Sequence, residues 1–109
     1  MYTIRFEDEA KQDLRKITDW YETQKPGLGD DFAAKTIETI ERYLTKNPEY
    51  AKFYKEYRRI AVKRFPHRIV YLVEEQEKIV RIMAIRHEKQ GEWGTTNAEL
   101  KMEHGGGRV

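Results

Sequence analysis

Residues 10–44, AKQDLRKITDWYETQKPGLGDDFAAKTIETIERYL, decide the architecture, because a helical repeat stands on either side of one turn. In the first half Ala10, Leu14, Ile17 and Tyr21 recur at the spacing that lines one face of a 3.6-residue helix. Trp20 and Tyr21 belong to this helix and are expected to pack in the core. The acidic run Glu7-Asp8-Glu9 before it suits the positive end of a helix dipole. Lys25-Pro26-Gly27-Leu28-Gly29 ends the helix. That segment lacks the Lys-Ser/Thr ending of a phosphate loop and joins helix to helix, so it reads as a turn. In the second half Ala33, Ile37, Ile40 and Leu44 repeat the apolar spacing, with Asp30 as N-cap and Asn47-Pro48 as the stop. Two helices joined by so short a turn pack antiparallel as a hairpin.

Outward from the hairpin the period changes. Tyr2 to Phe6 alternates apolar and polar residues as a half-buried strand does. Tyr57 to Lys63, Arg68 to Val73 and Ile79 to Ile85 read as three more strands, separated by Phe65-Pro66-His67 and by Glu74-Glu75-Gln76-Glu77. The order β-α-α-β-β-β predicts an α+β domain over residues 1–93, in which the helix hairpin covers one face of a small antiparallel sheet. The other face is left for function. Residues 94–109 lose periodicity and end in Gly105-Gly106-Gly107, which reads as a flexible tail.

Bulk properties narrow the setting. A length of 109 residues gives room for one domain, and the hydrophobic fraction of 39% is too high for a disordered chain. The net charge is +2, but it is unevenly spread. Acidic residues gather early, whereas Lys52, Lys55, Arg58, Arg59, Lys63, Arg64 and Arg68 face Glu56 alone in their stretch. With no cysteine there is neither a disulfide framework nor a thiolate metal site, and His67, His87 and His104 share no metal-ligand spacing, so no metal or cofactor is expected. No long apolar run is present, so a cytoplasmic protein that does not span a membrane is expected.

With the element order established, the residues resemble the RelE/ParE superfamily of toxins from type II toxin–antitoxin systems, the plasmid-stabilisation type. The marks are Tyr2-x-Ile4-x-Phe6, Ala10 with Asp13-Leu14, and Ile17-x-x-Trp20-Tyr21-x-x-Gln24-x-Pro26-Gly27-Leu28-Gly29 leading to Phe32. They continue through Asn47-Pro48, Tyr57-Arg58-Arg59, Phe65-Pro66-His67-Arg68-Ile69-Val70-Tyr71 and Ile85-Arg86-His87, ending at Trp93. The resemblance implies a toxin held silent by a cognate antitoxin, in a hetero-oligomer with it. It also implies one of two targets: the RelE-like branch cuts messenger RNA on the ribosome without a metal, and the ParE-like branch inhibits DNA gyrase without catalysis. A degenerate toxin that acts as an antitoxin-binding module is a third reading. The hairpin turn looks ParE-like, whereas His67 to Tyr71 is similar to the strand that carries a catalytic arginine in the nuclease branch.

Metal-free RNA cleavage needs acid–base groups and fixed positive charge for the phosphate. On the nuclease reading Arg68 clamps the phosphate through its planar guanidinium, and His87, expected just past the last strand, transfers protons. Arg68 reads equally as a salt-bridged strand-end arginine, and His87 as a capping or surface histidine. Arg59 and Lys63 share strand parity and form a candidate phosphate-tracking stripe or an ordinary solvated face. Arg86, Lys89 and Trp93 complete the candidate target-binding set, Trp93 by stacking on a base or by packing over the sheet edge. Lys89 stands where the superfamily's common His-x-Arg-Arg ending has arginine.

Overall fold

A computed structural model describes residues 1–90. The elements are β1 (Thr3–Phe6), α1 (Asp8–Gln24), α2 (Leu28–Thr39), a π-helical turn (Ile40–Leu44), β2 (Lys52–Tyr54), β3 (Tyr57–Ala61), β4 (His67–Glu74) and β5 (Ile79–His87). The expected α+β order is present, with the short edge strand β2 added. Trp93 and the tail expected at residues 94–109 lie outside the described residues.

The five strands form one sheet in the order β1-β5-β4-β3-β2. From β2 to β5 each strand pairs antiparallel with the next, as short connections require. β1 breaks the expected all-antiparallel pattern. It pairs parallel with β5, from Thr3 opposite Ile79 to Phe6 opposite Ile82, so the sheet is mixed. The connection between β1 and β5 runs through both helices and the strands β2 to β4, far longer than the roughly dozen residues that parallel pairing needs. The last strand can therefore return beside the first in the same direction.

α1 buries Ala10 completely and packs Leu14, Ile17 and Tyr21 against the core, as their spacing predicts. Trp20 departs from expectation: it is 57% exposed. α2 is capped three residues earlier than expected, at Gly27 rather than Asp30. Gly27 takes the left-handed conformation at its N-cap, and the Glu22 carboxylate accepts the N–H groups of Gly27 and Gly29 at 2.9 and 3.0 Å. Gly29 sits so close to α1 that a Cβ there would meet the Thr18 carbonyl oxygen at 2.5 Å. From Phe32 to Thr39 the inward face is rotated by one residue from the predicted stripe, while Ile40 and Leu44 keep their predicted place. Phe32, Thr36, Thr39, Ile40 and Leu44 face inward, whereas Ile37 is 37% exposed. Thr36 and Thr39 bury their hydroxyls by donating to the Phe32 and Lys35 carbonyls.

The helices, together with Ile69, Tyr71, Val80, Ile82 and Ile85 of the sheet and Val62 just past β3, make the main core. A second, smaller cluster lies on the far face, where Phe53, Tyr54, Tyr57 and Met83 cover Val70 and Ala84. The face opposite the helices is therefore partly closed by the chain's own aromatic residues.

Candidate functional site

The sites follow from strand parity, and parity changes once. In β5 the pairing runs Val70 with Ala84 and then Tyr71 with Ile82, which leaves Met83 as an extra residue. Without that bulge Ile82 and Ile85 would point to opposite faces; with it both reach the core. The amide of Ile85 donates to the Asp13 carboxylate on α1 at 2.9 Å, so the helix layer holds the strand just past the bulge. Burial pushes the Asp13 carboxyl above its ordinary range, an effect opposed by the Ile85 amide.

Beyond the bulge the register is Arg68 opposite Arg86 and His67 opposite His87. His67 and Ile69 face the helices, so Arg68 and Arg86 point to the other side of the sheet. Arg59, paired with Val70, shares that open face and lies 4.5 Å over the Phe53 ring. Arg5, opposite Arg81, joins them on β1. Arg81 is held by Glu7, at 2.9 Å, and by Glu74. The open face thus presents arginines beside an aromatic cluster, a surface suited to an anionic or acidic partner.

The structure brings Arg59, Arg68 and Arg86 to one face and separates the others. β3 ends at Ala61, so Lys63 lies in the turn rather than in register with Arg59; it borders a groove with Thr39 and Tyr43. Lys89 lies in the turn after β5. His87 is within β5 rather than past it, and its ring faces the helix layer, meeting the His67 ring edge-on at 5.1 Å. Arg68 and His87, the pair expected to share a nuclease site, are on opposite faces of the sheet.

His67 is the group that sequence reasoning set aside. It is 6% exposed and boxed by the rings of Tyr21, Phe32 and His87, and its buried Nδ1 has no hydrogen-bond partner among the described residues. Burial, reinforced by the neighbouring His87, lowers its pKa to about 4, so the ring is neutral at pH 7. Its parity with Ile69 and Tyr71 was the available sequence signal. Next to this box, Lys16, Ile17, Trp20, Tyr21, Pro66, His67 and His87 line a cleft of about 440 Å³.

This two-layer arrangement is shared with known toxins. The chain is similar to a chromosomal ParDE system structure from P. aeruginosa, at 19% identity and a TM-score of 0.67, covering 80% of this chain and 96% of that one. It is also similar to the RelBE2 toxin–antitoxin complex of Mycobacterium tuberculosis, at 19% identity and a TM-score of 0.54, covering 79% and 90%. The isolated E. coli RelE toxin superposes with a TM-score of 0.53 at 18% identity, covering 84% and 89%. No curated protein sequence matches the chain. The fold is that of the RelE/ParE toxins. Residues 4–91 match the family described as ParE toxin of the type II toxin–antitoxin system parDE, and the chain belongs to that family. It is the toxin component of a type II toxin–antitoxin system. No helix among the described residues is long and apolar enough to cross a membrane.

Proposed function

We propose that this toxin works in the cytoplasm by binding its target rather than by cutting RNA, that the target is DNA gyrase, and that a cognate antitoxin silences it. The observation that carries the reading is the separation of Arg68 from His87 by the sheet. General acid–base catalysis requires the proton-transfer group within hydrogen-bond reach of the reacting phosphate. With His87 turned toward His67 and the helix layer, Arg68 is paired across the strands with another arginine, Arg86. Arg59, Arg68 and Arg86 then serve as contact residues for an acidic surface on the target, and Lys63 and Lys89 add charge at its margin. The P. aeruginosa relative is described as a ParDE system and the M. tuberculosis relative as a toxin–antitoxin complex, which supports an antitoxin partner here. An acidic antitoxin segment that folds onto the toxin would bind with an affinity that falls as salt rises.

The test is to induce the chain without its partner and to follow messenger integrity, DNA breaks and plasmid supercoiling together. DNA breaks and altered supercoiling with intact messages support the proposal. Rapid loss of translated messages with undamaged DNA restores the ribosome-dependent nuclease.

A further inference from the structure

The cleft beside Trp20 is built from apolar walls and two hydrogen-bond donors. Ile17, Trp20 and Tyr21 of α1 form one side, and Pro66 with the His67 and His87 rings forms the other. Trp20 stands edge-on to Tyr21 at 5.1 Å and leaves more than half of its surface exposed, an arrangement that a monomer core does not require. The Lys89 amide donates to His87 Nδ1 at 3.0 Å, so a neutral His87 carries its proton on Nε2 and offers it as a donor. Lys16 supplies an ammonium at the same cleft, and no carboxylate is among its lining residues. The cleft is thus complementary to an apolar group that carries negative charge.

We infer that this cleft is the socket for a large apolar side chain of an acidic antitoxin segment, with a neighbouring carboxylate of that segment on Lys16 and His87. The inference rests on the antitoxin reading above and adds a location to it: the helix-side end of the sheet, on the opposite face from Arg59, Arg68 and Arg86. Charge complementarity selects the occupant. The turns that flank the cleft add Lys63 and Arg64 before Pro66 and Lys89 after His87, against Glu88 and, on α1, Asp13 near Lys16. A buried aromatic or aliphatic anchor in such a pocket is the usual centre of a protein interface, and a carboxylate beside it would meet cations already in place.

The chain has two tryptophans, so Trp93→Phe leaves Trp20 as the single indole reporter. In that background the candidate antitoxin, taken as the product of the reading frame adjacent to this chain's gene, is titrated in, and Trp20 emission is followed to saturation. Emission should move to the blue as the cleft is filled. Trp20→Ala and Lys16→Glu should each weaken binding by ~30-fold or more, the scale of an interface hot spot, and the Lys16→Glu effect should shrink as salt rises. Gln12→Ala, at another exposed position of α1, should bind as the parent does. If Trp20→Ala fails to fold, Lys16→Glu carries the test, because Lys16 is exposed. Normal affinity in the folded variants, or unmoved Trp20 emission at saturation, overturns the socket while the antitoxin reading stands. Failure of the wild-type chain, with Trp93 intact, to bind the antitoxin overturns both.

Discussion

The Asp13 carboxylate of α1 accepts the backbone N–H of Ile85 at 2.9 Å, joining the helix layer to β5 two residues after its extra residue, Met83. Because burial raises the folded pKa of Asp13, its contribution to stability is fully present below the ordinary carboxylate value and is lost as pH rises through the raised one. Asp13→Asn keeps an acceptor without the buried charge, so it should be at least as stable as the parent at pH 7 and should remove that part of the pH slope. Asp13→Ala leaves the Ile85 amide unanswered and should cost about 1–3 kcal/mol. Urea melts of the three proteins at pH 4 and pH 7 check this; equal stability of the Ala and Asn variants would show that the contact contributes nothing.

His67 gives a slope of the opposite sign. Its folded pKa, about 4, lies below the ordinary histidine value, so the unfolded chain binds the proton more readily and stability falls as pH drops from about 6.5 toward 4. The loss should approach roughly 2–3 kcal/mol over that window. His67→Phe keeps the aromatic box and should flatten this part of the profile. Parallel pH titrations of thermal stability decide it, and an unchanged profile in the variant would place the sensitivity elsewhere.

Ile37 and Ile40 look equivalent in the sequence and differ in the structure. Ile40 is buried, and Ile40→Ala should cost about 2–5 kcal/mol through the cavity it leaves. Ile37→Ala should cost under about 1 kcal/mol, since its side chain already meets solvent. Denaturant midpoints at constant slope measure both, and a larger loss at Ile37 would contradict the rotation of α2 described above.

Arg68→Ala should lower the trapping of gyrase on DNA by roughly 10–100-fold, with the circular dichroism spectrum unchanged, as expected for a charged interface contact. Arg68→Lys should recover part of that loss, because the charge returns without the guanidinium fork. The readout is the yield of cleaved plasmid at graded toxin concentration. Full potency of Arg68→Ala would remove the open face from the target interface.

Much of the fold was legible because hydrophobic period reports local geometry. The stripe Ala10, Leu14, Ile17 and Tyr21 meets the core as its spacing requires, and β4 and β5 fall where alternation puts them. β2 was missed because Lys52-Phe53-Tyr54 is too short to establish a period. The expected stripe of α2 holds at Ile40 and Leu44 but not at Ile37, because Phe32, Thr36 and Thr39 turn inward where Gly29 packs against Thr18, a contact between helices that no spacing within α2 encodes. Trp20 and Tyr21 are adjacent in sequence, yet one faces solvent and the other the core, since neighbouring positions on a helix diverge by about 100°.

The sequence by itself determined the helix hairpin, the strands from β3 to β5 and the presence of arginine at positions 59, 68 and 86, since each depends on residue type and spacing along the chain. Tertiary structure decided which of those residues share a surface. The parallel docking of β1 depends on β5 returning beside it at the end of the chain of antiparallel strands, and the extra residue at Met83 resets parity in β5. A strand's side chains alternate, so one such residue exchanges faces for everything beyond it. That shift carries His87 to the helix side with His67 and Trp20, and leaves Arg68 beside Arg86 on the other.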